Sequence, residues 1–188
     1  MAKNILVTGR PGIGKTTLVL RVIELLKKEG VRVGGMISKE EREGGIRVGF
    51  VVEDVATGAR GYLARVGYKG GIRVGKYVVV LEDLESVGVR AIRNALKDSD
   101  VVVIDEIGPM ELYSRMFRDA VVEALESPKP VLATIHMKAE TFPFTRDLLR
   151  RNDIELITLT IANREVLPGK LASKILTISV SYTHLRAH

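Results

Sequence analysis

The chain has 188 residues, with 29 Lys and Arg against 23 Asp and Glu, which gives a formal net charge of +6 at pH 7. Hydrophobic residues make up 46% and charged residues 28%, a balance that is ordinary for one globular domain. The basic residues are spread along the chain without a run, so the charge suits an anionic ligand but does not by itself indicate nucleic acid.

Composition also limits where the protein is expected to work. The absence of cysteine excludes disulfides and thiolate metal sites, and a reducing compartment is the default. No apolar run approaches the ~20 residues of a membrane span, and the chain reaches its first strand too quickly to hold a signal peptide. We therefore expect a cytoplasmic protein without membrane contacts.

A phosphate-binding loop follows the first predicted strand, Asn4 to Thr8, which is short and apolar. The loop matches the pattern G-x-x-x-x-G-K-[ST] in full. Its residues are Gly9, Arg10, Pro11, Gly12, Ile13, Gly14, Lys15, Thr16 and Thr17. A helix is predicted from Lys15 to Lys28, with Gly30 placed to end it. A chance match is the alternative, and the strand, loop and helix order argues against it.

The residue types of this loop suit a triphosphate and its Mg²⁺. Glycines let bare backbone N–H groups point at an anion, and the following helix directs its positive end at the same place. Lys15 would add a mobile charge at the β- and γ-phosphates, and Thr16 would supply a hydroxyl to Mg²⁺. The sequence therefore predicts a nucleoside-triphosphate cradle with Mg²⁺ as its cofactor.

The next segment predicts strands without helices between them. Val31 to Ser38 is predicted as a strand, Glu41 to Gly45 as a charged turn, and the alternating run Ile46 to Phe50 as a second strand. A third strand is predicted around Tyr62 to Val66. We interpret the segment, over about residues 36–66, as an antiparallel insertion at one edge of the sheet.

A buried strand with an acidic tip comes later in the chain. The elements before it are a Gly-rich connector from Gly67 to Gly75, a strand from Tyr77 to Leu81 and a helix from Asp83 to Leu96. The β-branched run Val101 to Ile104 ends in Asp105 and Glu106, at the edge where open α/β sheets bind ligands. Asp105 is the candidate for holding Mg²⁺ with Thr16, and Glu106 is the candidate general base. The alternative, acidic residues at a helix N-terminus, explains Glu111 better than Asp105.

The remaining predicted elements supply further candidates. They are a helix from Met110 to Leu125, a strand from Val131 to Ile135, a helix from about Pro143 to Arg151 and a strand from Ile154 to Leu159. Thr134 or His136 could sense the γ-phosphate, although a lone histidine is more often a packing or solvated residue. Asn163 and Arg164 could contact the base or ribose, with a helix cap by Asn163 as the alternative. We expect one domain over residues 1–178 and an appended or disordered tail at 179–188.

Several segments together resemble one family, the P-loop nucleoside-triphosphatases first described from thermophilic archaea and bacteria, whose animal relatives are called cancer-related nucleoside-triphosphatase. The matching segments are Gly9 to Leu18, Glu41 to Phe50, Val74 to Tyr77, Asp105 to Leu112 with Ser114 and Phe117, and Asn163 with Arg164. The resemblance covers nearly all of residues 1 to about 175, and its specific element is the run Asp105 to Leu112. The C-terminal tail departs from the family pattern.

The resemblance implies both a fold and an activity. The fold is α/β, a P-loop NTPase (RecA-like) three-layer sandwich with a mainly parallel central sheet and an inserted antiparallel hairpin. The activity is Mg²⁺-dependent cleavage of the terminal phosphate of ATP, GTP and other nucleoside triphosphates, with little base selectivity. We also expect a monomer or weak oligomer and an arginine at the γ-phosphate. The candidates for that arginine are Arg10, Arg42, Arg47, Arg115 and Arg164.

Two other functions fit parts of the sequence. A nucleotide or small-molecule kinase would use the same loop, but such enzymes usually carry an Arg-rich lid, and no clear lid-like segment is present. A nucleic-acid-associated ATPase would fit the net charge of +6, but aromatics are only 5% and no basic stripe is present. We therefore prefer the hydrolase and do not expect nucleic-acid binding.

Overall fold

Residues 2–187 fold around one mixed β-sheet of nine strands. The computed structural model describes the backbone of these residues and the side chains of residues 2–180. The strands of the sheet are β1 (Asn4–Thr8), β2 (Val33–Glu43), β3 (Ile46–Asp54), β4 (Arg60–Arg65), β5 (Ile72–Val74), β6 (Tyr77–Val79), β7 (Val101–Ile107), β8 (Val131–Ile135) and β9 (Ile154–Thr158). The helices are α1 (Lys15–Lys28), α2 (Leu81–Asp83), α3 (Arg90–Asp98), α4 (Arg115–Glu126), α5 (Pro143–Leu149) and α6 (Leu167–Ala187).

The sheet has a parallel half and an antiparallel half. Its strand order is β5-β6-β4-β3-β2-β7-β8-β1-β9. The four pairs β2–β7, β7–β8, β8–β1 and β1–β9 are parallel. β2 belongs to both halves, because it pairs parallel with β7 as far as Met36 and antiparallel with β3 from Met36 onward. The predicted α/β fold with a central parallel sheet and an antiparallel part is confirmed.

Helices cover both faces of the sheet and bury two apolar clusters. On one face, Leu84, Ile92 and Phe117 from the helical segments between β6 and β8 pack against strand residues. On the other face, Leu26 of α1 and Leu171 of α6 pack with the opposite side chains of the same strands. A parallel strand buried on both faces reads as a continuous apolar run, which is why Val101 to Ile104 could be recognised from sequence.

The antiparallel part is larger than the predicted insertion over about 36–66, because it continues to Val79. The predicted connector contains β5, which pairs with β6 in a short hairpin turned at Gly75 (φ +60°). A strand of three residues is too short to show alternation, so it was missed. The predicted turn from Glu41 to Gly45 is also shorter than expected, since β2 continues to Glu43 and only Gly44 and Gly45 separate it from β3.

Two helices differ from their predicted bounds. The helix predicted from Met110 begins at Arg115 instead, because the hydroxyl of Ser114 accepts a hydrogen bond from Phe117 N at 3.0 Å and caps it. The helix predicted from Asp83 to Leu96 is a longer helical stretch whose middle, Leu84–Val89, is a π-helix.

Helix α6 was not predicted, although Leu167, Leu171 and Ile175 recur at helical spacing and are buried. The tail predicted at 179–188 coincides with the end of this helix. The side chains from residue 181 onward, and residue 188 entirely, lie outside the described residues. Across residues 2–187 no helix is both long and apolar enough to span a membrane.

Gly35 provides a test of how tightly β2 and β7 pack. Its φ is +115°, and a Cβ there would lie 1.9 Å from Val103 O. Gly30 also has a positive φ, +76°, but a Cβ there would meet nothing within 4 Å. We expect Gly30→Ala to cost about 1–2 kcal/mol of unfolding free energy from backbone strain alone, and Gly35→Ala to cost clearly more because the backbone of β7 must move. Urea unfolding followed by circular dichroism measures both, and equal losses would contradict the predicted clash.

Candidate functional site

The phosphate loop connects β1 to α1 at the carboxyl edge of the parallel strands. Gly12 and Gly14 adopt positive φ values of 80° and 110°, which glycine reaches without steric cost. Because α1 begins at Lys15, the unpaired N–H groups of its first turn face the same space as the loop. The loop residues that line this space are Arg10, Pro11, Gly12, Gly14, Lys15, Thr16 and Thr17. Gly9 and Ile13 are buried beneath them.

The carboxylate of Asp105 is fixed by hydroxyls from two other elements. Thr16 Oγ1 donates to Asp105 Oδ2 at 2.9 Å, and Thr134 Oγ1, from β8, donates to Oδ1 at 2.6 Å. Asp105 is only 2% exposed, and this burial raises its pKa to about 6, while the two hydroxyl hydrogen bonds oppose the rise. Ser38 Oγ, from β2, donates to Asp105 O at 2.7 Å. The sequence predicted that Thr16 and Asp105 lie together. It did not predict the hydrogen bond from Ser38 to Asp105, and it assigned Thr134 to the γ-phosphate instead of to Asp105.

Glu106 lies beside the loop lysine. Glu106 Oε2 is 3.4 Å from Lys15 Nζ, which also donates a hydrogen bond to Gly9 O at 3.0 Å. The Asp105–Glu106 peptide is cis. The two side chains are 27% and 12% exposed, so the pair is accessible from the cleft. The two strongest sequence candidates for phosphate binding and water activation are therefore in direct contact.

A second glutamate, Glu111, approaches Glu106 from the turn after β7. A Cβ placed on Gly108 would lie 2.8 Å from Glu106 Oε1 and 3.3 Å from Glu111 Oε1, so the two carboxyl groups converge on Gly108. Glu111 is 3% exposed. Burial, followed by the charges of Glu106 and Asp105, raises the pKa of Glu111 well above its usual range. Glu111 does lie in the first turn of a short 3-10 helix, Glu111–Tyr113, as the alternative interpretation predicted, but its side chain is buried.

The donor atoms around Asp105 suit Mg²⁺. Thr16 Oγ1 and the carboxylate of Asp105 are hard oxygen ligands that are already within hydrogen-bond distance of each other. Among the side chains of residues 2–180, no group of three His, Cys, Asp or Glu could hold a metal by itself. Mg²⁺ is commonly bound by one or two protein ligands together with substrate phosphates, so this small donor set fits that ion.

A cleft of about 600 Å³ extends from the loop across the edge of the sheet. Its near end contains the loop, Asp105 and Glu106, and its far end is lined by residues of the antiparallel half, Arg47, Phe50, Leu63 and Val74. A separate shallow groove lies on the other side of the loop, beside the end of β9. That groove is lined by Arg10, Ile13 and the segment from Thr158 to Ala162.

Asn163 and Arg164 lie next to this groove in different ways. Asn163 Oδ1 accepts a hydrogen bond from Thr160 N at 2.8 Å, and its Nδ2 donates to Thr158 O at 2.8 Å. Asn163 therefore ties together the turn that forms the groove, four residues before α6 begins at Leu167. Arg164 Nη1 approaches Ile13 O at 3.5 Å, which brings its guanidinium beside the phosphate loop.

The other arginine candidates and His136 differ in whether they line the cleft. Arg10 lies on the loop, and Arg47 lines the far end of the cleft. Arg42 binds Glu40, and the side chain of Arg115 is 86% exposed on the surface of α4. His136 does line the cleft, its Nδ1 accepts a hydrogen bond from Lys138 N at 3.1 Å, and burial lowers its pKa.

Comparisons with known proteins agree with this geometry. Residues 4–172 match a protein family described as NTPase. A curated relative from Thermofilum pendens, nucleoside-triphosphatase THEP1, is 57% identical over 177 residues, which are 94% of this chain and 97% of the relative.

Two solved structures share the fold. The crystal structure of THEP1 from Aquifex aeolicus has a TM-score of 0.80 and 33% identity, covering 92% of this chain and 98% of that one. The solution structure of a human cancer-related nucleoside triphosphatase also has a TM-score of 0.80, at 37% identity, covering 94% and 98%. Together with the phosphate loop and the acidic tip of β7, these matches show that the chain belongs to the THEP1 family of nucleoside-triphosphatases, hydrolases with a P-loop fold.

Proposed function

We propose that the protein is a Mg²⁺-dependent phosphohydrolase that cleaves the terminal phosphate of ATP, GTP and other nucleoside triphosphates, releasing nucleoside diphosphate and phosphate. One observation carries the proposal. Lys15 and Glu106 are in contact at the mouth of the loop, and Thr16 and Asp105 are hydrogen bonded beside them. One cleft thus contains a cation for the phosphates (Lys15), two oxygen ligands for the metal (Thr16 and Asp105) and a proton acceptor (Glu106).

The chain's own groups bind and orient the triphosphate. The amides of the loop and of the first turn of α1 would donate to the phosphate oxygens, and Lys15 would place its charge between the β- and γ-phosphates. Arg10, on the loop, is the arginine best placed to add charge there. When bound by Thr16 and Asp105, Mg²⁺ would neutralise developing phosphate charge as a Lewis acid.

Glu106 would position the attacking water and take its proton. The water oxygen forms a bond to the γ-phosphorus, the bond from that phosphorus to the β-bridging oxygen breaks, and the nucleoside diphosphate leaves with the electron pair. Glu111 is a weaker candidate, because its raised pKa favours the protonated form, which cannot accept a proton.

The groove beside β9 is proposed to hold the nucleoside. Its lining contains the apolar side chains Ile13, Leu159, Ile161 and Ala162. Apolar contacts discriminate poorly between ligands of similar shape, whereas recognition of a base edge needs several placed donors and acceptors. Asn163 and Arg164, adjacent to the groove, are proposed to support it and to approach the ribose. The groove therefore supports broad base specificity.

The experiment that tests this function measures phosphate release with Mg²⁺ and each of ATP, GTP, CTP and UTP separately, with no other phosphoryl acceptor. We expect release from all four at comparable rates and none after EDTA is added. Tight triphosphate binding without release would contradict hydrolysis as the chemical step.

Replacing Glu106 by Gln separates binding from chemistry. We expect Glu106→Gln to retain MgATP affinity in calorimetric titration and to lose about 10²–10⁴-fold in kcat, because the amide cannot take a proton. Glu24→Gln, on the exposed face of α1 with its side chain 69% exposed, serves as the matched control. Hydrolysis near the parent rate in Glu106→Gln would mean that the base lies elsewhere, with Glu111 as the next candidate.

Removing the loop lysine should instead affect the handling of the triphosphate itself. We expect Lys15→Ala to lower kcat/KM by about 10²–10³-fold, as the loss of one preorganised charge to the transition state does elsewhere. Lys28→Ala, at the exposed end of α1, removes a lysine of the same helix without touching the cleft. Similar kinetics for the two variants would remove Lys15 from the mechanism.

Glu111 predicts a pH-dependent contribution to stability. Because its pKa is raised in the folded state, the folded protein holds this proton more tightly than the unfolded chain does. Its contribution is therefore complete below the unfolded pKa and is lost as pH rises. Gln does not titrate, so the Tm of Glu111→Gln relative to the parent should increase from pH 5 to pH 8. A Tm difference that is constant over this range, in thermal unfolding scans, would contradict the raised pKa.

A further inference from the structure

The cleft is longer than a bound triphosphate requires. The phosphate loop leaves β1 and the acidic tip belongs to β7, whereas the far wall belongs to β3 and β4. Because adjacent strands are about 4.8 Å apart, β3 and β4 lie roughly 10–15 Å beyond β7. A terminal phosphate held between the loop and Asp105 would therefore end well before the far wall.

The nucleoside does not fill this remaining space. The groove beside β9, proposed to hold the base, lies on the opposite side of the loop from β3 and β4. Arg10 lines both the groove and the cleft, so the two join at the loop. A nucleotide that enters through the groove would direct its γ-phosphate toward the far part of the cleft, which stays available for a second molecule.

The far part combines an apolar wall with one ordered guanidinium. Phe50, Leu63 and Val74 line it, and Met110 closes it from the turn after β7. The guanidinium carbon of Arg47 is 5.1 Å from the centre of the Phe50 ring. A cation stacked on an aromatic face is well placed to bind an anion that also carries a flat face able to pack on the same wall.

Arg47 is held in place by two hydrogen bonds that leave part of its fork unused. Its Nε donates to Tyr77 Oη at 2.7 Å, and its Nη1 donates to Glu40 Oε1 at 3.1 Å. Within the described part of the chain, no partner accepts a hydrogen bond from its Nη2. Because these contacts already order the side chain, little conformational entropy would be lost when Nη2 meets a ligand.

The charge at this end of the cleft favours an anion. Glu40 accepts hydrogen bonds from Arg42 as well as from Arg47, so one carboxylate faces two guanidinium groups. The cluster of Glu40, Arg42 and Arg47 therefore carries a net positive charge. A phosphate group suits a guanidinium with free N–H donors, because its oxygens match the geometry of the fork.

We propose that the far part of the cleft, lined by Arg47, Phe50, Leu63, Val74 and Met110, binds a second ligand, an organic monophosphate of about the size of a nucleoside monophosphate. Its phosphate lies on Arg47 and the flat face of its base lies against Phe50. A cleft of about 600 Å³ is large enough for a triphosphate end and such a ligand together, since pockets for whole small molecules span ~300–1,000 Å³. The proposal rests on the proposed function only for the location of the triphosphate.

The test measures binding while the nucleotide site is filled. The protein is saturated with Mg²⁺ and the non-hydrolysable β,γ-imido analogue of ATP, and AMP and UMP are then titrated by calorimetry. Ribose 5-phosphate and adenosine are titrated as probes that lack, respectively, the base and the phosphate. We expect AMP and UMP to bind and the two partial probes to bind at least tenfold more weakly.

Variants locate the bound monophosphate. Arg47→Ala and Phe50→Ala should each weaken AMP and UMP binding at least tenfold without changing the affinity for the imido analogue. Arg65→Ala is the matched control. Like Arg47, Arg65 stacks on an aromatic ring, that of Tyr62, and is ion-paired with a glutamate, Glu43, but it does not line the cleft. Circular dichroism confirms that each variant is folded.

Three results would overturn the proposal. They are no AMP or UMP binding to the saturated protein, binding that Arg47→Ala and Phe50→Ala leave unchanged, and displacement of the imido analogue by the monophosphates. If the imido analogue does not bind the parent protein at all, that result counts against the proposed function instead. Slow phosphate release by Arg47→Ala with unchanged AMP binding is a case of the second result, and it would place Arg47 at the γ-phosphate.

Discussion

The buried carboxylate of Asp105 is the interaction on which the site depends. It accepts hydrogen bonds from Thr16 at the start of α1 and from Thr134 of β8, while its own backbone oxygen accepts one from Ser38 of β2. One residue of β7 thus joins the phosphate loop to the strands on both sides of β7, which are β2 and β8. A carboxylate buried to this degree is costly unless its oxygens are hydrogen bonded, so the position of the loop and the position of the proposed metal ligand are fixed together.

Local patterns predicted the elements that make up the near end of the cleft. The strand, loop and helix around Gly9 to Thr17 and the apolar run before Asp105 were recognised because each depends on neighbouring residues in the chain. The contact of Thr16 with Asp105 was predicted because both residues were assigned to the same Mg²⁺ ion. The structure adds the contact of Lys15 with Glu106, which a sequence cannot show because 91 residue positions separate them.

The parts that were missed depend on long-range packing. Strand β5 is defined by its pairing with β6 and not by its own pattern. Glu111 lies in the first turn of a short 3-10 helix, Glu111–Tyr113, but the sequence did not show that its side chain is buried. Arg47 was one of five equivalent arginines in the sequence. Only its contacts with Tyr77, Glu40 and Phe50 distinguish it from the others.

The contact between Lys15 and Glu106 has a consequence for the order of events. Lys15 is paired with Glu106 and also donates to Gly9 O, so the glutamate is held beside the loop. In the proposed mechanism the incoming triphosphate draws Lys15 to its own oxygens, because it carries more negative charge than one carboxylate. Glu106 is then released from its partner and left facing the γ-phosphate. In that mechanism the proposed base is freed only when the substrate takes its lysine partner, so binding and activation are one event.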